Sequence, residues 1–276
     1  MKILHPTAFS QPAEKARVLA LDLLNRLNGK LHIVHVQERY KEGAIANTAI
    51  DSVNPVFQEH TEESHQTEVR RILEMLKNLT PEGASNELIW GKAVKELLRI
   101  APDYDLIVMS AHGDNPLDDY FLGGVAGRLI RRSSTPMLTV RPSSQTREVR
   151  RVLVATDFGA ASKEAWRWCQ QLKEKGIEII CAHIIETPSV EGSKFTFKHL
   201  NDALVEFSEG LDEGVVRDGN AIEVLPQLAQ ELNADVIAIG RRKHSTAIGL
   251  LMGSRADGLV RSSAIPILSI PSTKAA

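Results

Sequence analysis

The chain has 276 residues, of which 43% are hydrophobic and 25% are charged. This length favours two domains over one, and the composition excludes a disordered or fibrous protein. The net charge of -2 gives no reason to expect binding to nucleic acids or to membrane surfaces. The N-terminus lacks the apolar core of a signal peptide, and no apolar run reaches the roughly 18 residues that span a bilayer, so we expect a cytosolic protein.

The first half of the sequence alternates between strand and helix patterns. Ser10 and Pro12 precede apolar residues spaced by three and four, a pattern typical of a capped amphipathic helix that ends at Gly29. A helix between two short strands implies a right-handed crossover and therefore a parallel sheet. Residues 37–59 lack periodicity and are predicted to form a loop or lid. Strands are predicted at residues 3–7, 31–36, 86–90, 105–110 and 137–140, and further helices at residues 60–79, 93–101 and 123–132.

A polar segment at residues 141–148 separates two regions that begin alike, and it is predicted to be a linker. Residues 151–158 repeat the pattern of residues 2–9. The sequence is therefore interpreted as a duplication, with one domain at residues 1–142 and a second at residues 150–276.

The second half continues the pattern of the first. Pro226 interrupts a helix pattern, which predicts either a kink or a helix that begins closer to this proline. Cys169 and Cys181 are predicted to be free, buried thiols, because the cytosol is reducing. The helix that carries Cys169 also places Ala165, Trp168 and Leu172 on its buried face. Strands are predicted at residues 179–184 and 215–217, and a helix within residues 195–211.

The most informative stretch, residues 235–270, aligns without a gap with residues 105–140. It begins with an apolar strand pattern that ends at Gly240, continues through a predicted basic loop at residues 241–243, and reaches a Gly-Ser pair at residues 253–254 before a helix. Glycines let a backbone approach a phosphate closely, and a helix N-terminus offers it free N–H groups. This stretch therefore predicts an anion site.

These residues resemble the nucleotide motif of the universal stress protein family in its tandem form, which is Gly-x2-Gly-x9-Gly-(Ser/Thr) after the fourth strand, with an Asp after the first. Gly240, Gly253 and Ser254 match the motif and Asp157 matches the acid, whereas Lys243 stands at the second glycine position. The resemblance implies an α/β fold of two tandem domains, each a five-stranded parallel sheet of order 3-2-1-4-5 with helices on both faces, related by a pseudo-two-fold axis. It also implies a nucleotide site at the carboxyl ends of the strands, where such sheets generally bind ligands.

The resemblance further implies that the second domain binds ATP, with or without Mg²⁺, or a related adenine nucleotide. Asp157 is expected to accept hydrogen bonds from the adenosine part, and Arg242 or Lys243 to neutralise phosphate. A lysine at the second glycine position would strain the loop if that position required a positive φ. Taken singly, each residue also fits an ordinary turn, cap or solvated loop. The candidate nucleotide-binding residues are Thr156, Asp157, Ile184, Gly240, Arg242, Lys243, Gly253, Ser254 and Arg255.

The matching positions of the first half are less suited to a phosphate. Ala8 replaces the acid, Ser110 replaces the first glycine, and the following loop carries Asp114, Asp118 and Asp119 in place of cations. Because carboxylates repel phosphate, we expect one ATP per chain, in the second domain.

The motif provides a phosphate cradle without an evident carboxylate base. We therefore expect a nucleotide-dependent switch with at most slow hydrolysis, and we assign no catalytic residue. The alternative is a stress-responsive interaction protein or small-ligand-binding protein with vestigial nucleotide sites, whose pocket Trp90, Tyr40 and Phe57 would line.

An exposed edge strand invites pairing. The resemblance implies that the terminal strands of two such domains pair antiparallel, so the two halves of this chain are expected to pair with each other in this way. A homodimer or a further protein partner is compatible with the sequence. No metal site is predicted, because His32 and His35 point to opposite faces of one strand and cannot chelate an ion together.

Overall fold

The computed structural model describes residues 1–38, 55–112, 124–186, 193–208, 214–243 and 254–275. Within these residues, no helix is long and apolar enough to cross a membrane. The first half contains β1 (Lys2–Pro6), α1 (Gln11–Arg26), β2 (Lys30–Gln37), α2 (Pro55–Leu79), β3 (Ser85–Trp90), α3 (Ala93–Ile100), β4 (Leu106–Ser110), α4 (Gly124–Arg132) and β5 (Met137–Val140). The second half contains β6 (Arg151–Thr156), α5 (Ala160–Lys173), β7 (Glu178–Ile185), α6 (Ser193–Phe207), β8 (Gly214–Asp218), α7 (Ala221–Glu231), β9 (Val236–Lys243), α8 (Ser254–Ser262) and β10 (Ile267–Ala275).

The described strands form one continuous sheet in the order β3-β2-β1-β4-β5-β10-β9-β6-β7-β8. Neighbouring strands within each half are parallel, and the order 3-2-1-4-5 occurs twice, which confirms the predicted fold. The halves meet at β5 and β10, which pair antiparallel, as predicted, with Leu138 opposite Leu268. Because these leucines are equivalent positions of the repeat, they mark the pseudo-two-fold axis.

Helices cover both faces of the sheet, and each layer extends across both halves. On one face, the buried apolar side chains of α1 and α5 form a single cluster with the strands. On the other face, those of α3, α4, α7 and α8 do the same. Trp166 is fully buried in the first cluster, whereas Trp168, expected from the sequence to face the core, packs only partly against it.

The linker between the halves is held against α1. The Val149 N–H donates to Asp22 Oδ2 at 2.8 Å, and the Arg26 guanidinium lies 2.9 Å from Glu148 Oε2. Arg26 also pairs with Asp22 at 2.8 Å, so the three side chains form one network. The end of the linker is therefore fixed to the first half before β6 begins.

Helix α7 corrects one prediction. It begins at Ala221 and continues through Pro226, so of the two predicted alternatives the start closer to the proline is wrong, and the kink stays a prediction. Asn220 fixes the true start, because its side chain accepts a hydrogen bond from the Ile222 N–H at 3.0 Å. Pro226 removes only one backbone donor from a helix that is otherwise capped and packed.

The predicted loop or lid at residues 37–59 is helical at its end, because α2 begins at Pro55 rather than near residue 60. Residues 39–54 lie outside the described part of the chain. Tyr40 belongs to them, and the side chain of Phe57 is not described either. The alternative pocket beside Trp90 therefore stays a prediction.

Cys169 and Cys181 are free and buried, as predicted. Burial raises the pKa of both thiols, that of Cys181 to about 12. Both are therefore neutral at physiological pH and act as small apolar residues of the core.

Candidate functional site

A cleft of about 390 Å³ opens at the carboxyl ends of β6, β7 and β9. Strand β6 is flanked by β7 on one side and by β9 on the other, so the cleft lies at the switch point where α/β sheets bind ligands. Its volume is within the range of small-molecule sites. Buried apolar side chains form the floor and charged side chains form the rim. The floor includes Ala182, Leu225 and Ile239, and the rim includes Asp157, Glu186, Arg242 and Arg255.

The turn after β6 aims a carboxylate at the cleft. Thr156 Oγ1 accepts a hydrogen bond from the Phe158 N–H at 2.9 Å, and Phe158 has the unusual φ of 58°. The Phe158 ring lies 4.5 Å from the ring of His183, whose Nδ1 is 2.8 Å from the Thr156 carbonyl oxygen. His183 of the neighbouring strand β7 therefore contacts both the backbone and a side chain of this turn. Asp157 lies in the chain between these two contacts and lines the cleft.

Asp157 is held as a carboxylate. Its Oδ1 accepts hydrogen bonds at 2.9 Å from the Gly159 N–H and from Ser162 Oγ, and its Oδ2 lies 2.6 Å from Arg242 Nη2. Partial burial alone would raise the pKa of Asp157, but the hydrogen bonds from Gly159 and Ser162 and the charge of Arg242 lower it below its ordinary value. A Cβ atom on Gly159 would lie 2.8 Å from Asp157 Oδ1, so a side chain at this position would displace the carboxylate.

Gly240 lines the cleft, but the backbone of α5 explains why it is a glycine. A Cβ atom at Gly240 would lie 2.1 Å from the Ala161 carbonyl oxygen and 2.6 Å from the Ser162 nitrogen. The sequence predicted that Gly240 lets a phosphate approach the backbone closely, but the backbone of the first turn of α5 occupies this space. The role of Gly240 toward a ligand stays a prediction.

The prediction of a basic loop at residues 241–243 is wrong, because β9 continues through Lys243. Successive side chains of a strand point to opposite faces, so Arg241 and Arg242 separate. Arg242 enters the cleft, whereas Arg241 is buried and donates to the carbonyl oxygens of Ile130 and, at 3.1 Å, of Ser133. Those carbonyls close the last turn of α4, where a cation is favourable. Burial lowers the pKa of Arg241 to about 10, so it remains charged there.

Lys243 pairs with Ala275 in the parallel ladder between β9 and β10. Its extended backbone suits lysine as well as glycine, so the strain that a positive φ would have caused does not arise. Its side chain is not described. Ser254 begins α8, as the motif implied, and Gly253 lies outside the described residues.

Sequence reasoning missed one residue of the rim. Glu186 follows β7 directly, and its carboxylate pairs with the Arg255 guanidinium from the first turn of α8. The cleft thus has two arginine–carboxylate pairs, one between the ends of the adjacent strands β6 and β9 and one between the end of β7 and the first turn of α8. The available signal was an acid directly after the strand next to β6, two residues beyond the predicted Ile184.

Six of the predicted site residues line this one cleft or its rim: Thr156, Asp157, Ile184, Gly240, Arg242 and Arg255. The first half has the same turn without the acid. Phe9 has a φ of 59°, its N–H donates to Thr7 Oγ1 at 3.1 Å, and its ring lies 4.6 Å from His35. Ala8 occupies the position of Asp157. The aspartates predicted to repel phosphate lie outside the described residues.

The model of the universal stress protein family matches residues 1–141 and 148–271. The chain belongs to this family. The universal stress protein E homolog of Haemophilus influenzae is 24% identical in an alignment of 197 residues. The alignment covers 62% of this chain and 63% of that protein, so the match spans less than two thirds of this relative. The universal stress protein MJ0577 of Methanocaldococcus jannaschii is 26% identical in an alignment of 153 residues, and the alignment covers 51% of this chain and 94% of that protein.

Solved universal stress proteins share the fold over both halves. A crystal structure of a universal stress protein from Archaeoglobus fulgidus superposes with a TM-score of 0.67 at 19% sequence identity, and the superposition covers 98% of each chain. The match of the family model to both halves confirms the family resemblance drawn from the glycine motif and the internal repeat.

Proposed function

We propose that this universal stress protein binds one adenine nucleotide, ATP or a close relative, in the cleft of its second half. The observation that carries the proposal is the pairing of Asp157 with Arg242 at the rim of the cleft. It brings together a carboxylate that is ionised at neutral pH and a guanidinium, which are the groups that a nucleoside and a phosphate need from a protein. Arg255 and the first turn of α8 lie on the same rim.

A nucleotide that binds here would have to separate Arg242 from Asp157, because these side chains are paired with each other. Arg242 is 54% exposed and Asp157 is 46% exposed, and such an ion pair contributes only about 0–1 kcal/mol to stability. Its opening therefore costs little. Asp157 would then accept hydrogen bonds from hydroxyl or amino groups of the nucleoside. Arg242, Arg255 and the N–H groups at the start of α8 would face the phosphates, with Mg²⁺ as a companion of the nucleotide.

The same arrangement supports a switch with at most slow hydrolysis. Among the lining residues that the structure describes, both carboxylates, Asp157 and Glu186, are paired with arginines. A carboxylate that acts as a general base must be free to take a proton from the attacking water. We therefore expect binding to dominate over turnover.

Calorimetry of ATP binding tests the proposal. The wild-type chain should bind ATP with a stoichiometry near one, and Asp157→Ala, which gives the second half the residue of the first, should weaken binding at least about tenfold through the loss of a charge-assisted hydrogen bond. Asp103→Ala, which removes an exposed aspartate of the first half, is the control and should bind like the wild type. Undetectable wild-type binding at millimolar ATP would refute the proposal.

A second variant tests the position of the phosphates. Gly253→Val places a branched side chain directly before α8 and should abolish ATP binding if the phosphates lie at the start of this helix. Equal binding by the variant and the wild type would refute that placement while leaving the cleft as a nucleotide site. A cytosolic location, a homodimer and further protein partners stay predictions for this chain.

A further inference from the structure

Glu186 makes the rim of the cleft electrically balanced. Its carboxylate pairs with Arg255, just as the carboxylate of Asp157 pairs with Arg242. The described rim therefore contains two positive and two negative side chains. Both guanidinium groups that could bind a phosphate are therefore already paired with a carboxylate, Arg242 with the acid after β6 and Arg255 with the acid after β7.

The two acids differ in what they offer a ligand. Asp157 is oriented by the Gly159 N–H and the Ser162 hydroxyl, so it keeps its position when Arg242 leaves. Glu186 has Arg255 as its ion-pair partner and lies at the end of β7 beside the cleft. When a phosphate takes Arg255, the charge of Glu186 remains close to it. Like charges within a few ångströms repel, and the repulsion grows with the charge of the ligand.

We infer that Glu186 determines how much phosphate charge the cleft accepts. By competing for Arg255 it disfavours nucleoside triphosphates relative to monophosphates, so it selects among adenine nucleotides without binding the nucleoside itself. This inference rests on the proposed nucleotide site. It assigns to Glu186 a specificity role that the glycine motif does not contain.

The test compares ATP with AMP in the wild type and in Glu186→Gln. The variant keeps the size of the side chain and removes its charge. Because ATP carries roughly twice the charge of AMP, the variant should gain about tenfold in affinity for ATP and about threefold for AMP, which shifts the preference toward ATP about threefold. The gain should shrink at 0.5 M salt, where screening is strong, whereas a purely structural effect would not.

Glu178→Gln is the matched control. Glu178 begins the same strand at its opposite end and also pairs with an arginine, Arg151, at 2.6 Å. The control changes the net charge of the protein equally but not the charge of the cleft, so its preference between ATP and AMP should equal that of the wild type.

The outcomes separate the two proposals. If the wild type binds both nucleotides and Glu186→Gln has the same preference, the role of Glu186 is refuted and the nucleotide site stands. If the wild type and Glu178→Gln bind neither nucleotide, the proposed function fails and the selectivity role falls with it. Glu186→Ala is the second variant, and it should shift the preference in the same direction. A shift in the opposite direction would also refute the inference.

Discussion

The two halves share a scaffold and differ in charge. Thr7 and Thr156, Phe9 and Phe158, and His35 and His183 build the same strained turn with nearly the same distances. Between them the second half has Asp157, and the first half has Ala8. The turn geometry is therefore a property of the fold, because it persists where no carboxylate needs to be positioned. The halves therefore differ at the positions of the candidate site, with Asp157 against Ala8 and Arg242 against His112, and not in the geometry of this turn.

The largest expected effect concerns the contact between β9 and α5. Gly240→Ala should lower the free energy of unfolding by about 3 kcal/mol, because its Cβ atom would meet the backbone of Ala161. Chemical denaturation measures the loss. Gly124→Ala in the first half is the control, since a Cβ atom there meets nothing within 4 Å and the change should stay within about 0.5 kcal/mol. Equal effects of the two variants would contradict the glycine's packing role.

The next effect concerns the contact between the halves that Arg241 makes with the end of α4. Arg241→Met should cost about 1–3 kcal/mol, because the buried carbonyls of Ile130 and Ser133 lose their donors. Arg242→Met is the matched variant one residue further along β9. It should cost less than about 1 kcal/mol, since its ion pair is half exposed. Urea denaturation of both variants measures the difference, and a larger loss for Arg242→Met would reverse this interpretation.

A smaller effect is expected from pH. Because the pKa of Asp157 is lower in the folded chain than its unfolded value of about 3.9, its contribution to stability is present at neutral pH and lost as the pH falls below about 4. The carboxylate is 46% exposed and its ion pair is screened, so we expect a loss of only about 0.5 kcal/mol. Subtracting the stability of Asp157→Asn from that of the wild type at pH 7 and pH 3 isolates this contribution. A difference that grows toward pH 3 would contradict the lowered pKa.

The smallest effect is expected from transferring the acid. Ala8→Asp places a carboxylate on the equivalent turn of the first half, and it should change stability by less than about 0.5 kcal/mol. It should not create a second nucleotide site, because the position matching Arg242 is the buried His112. Calorimetry should still give a stoichiometry near one. A stoichiometry of two would show that the acid alone distinguishes the halves.

The fold could be predicted from the sequence because several independent patterns, each present in both halves or tied to the repeat, indicate it. The apolar strands, the glycine motif and the duplicated first strand all indicate one topology, and a long periodic pattern is the most reliable local signal. Asp157 and Arg242 were predicted as site residues from the family motif and the basic run, and both line the cleft.

The rest depended on contacts that the sequence does not display. Arg241 to Lys243 interrupt an apolar run and therefore suggest a loop, and only the ladder with β10 shows that the strand continues. Once the strand is known, alternation assigns Arg241 and Arg242 to opposite faces. The partner of Gly240 is a helix backbone far away in sequence, and Glu186 meets Arg255 only because β7 and α8 border the same cleft.

Because β5 and β10 belong to one chain, their antiparallel pairing does not depend on the concentration of the protein. Two separate subunits that met through such strands would come apart on dilution, whereas here residues 141–150 tether one strand to the half that carries the other. A short tether holds its ends at an effective concentration of about millimolar or more. The arrangement of a dimer has thereby become independent of how much protein is present, and each half can diverge in sequence without losing its partner.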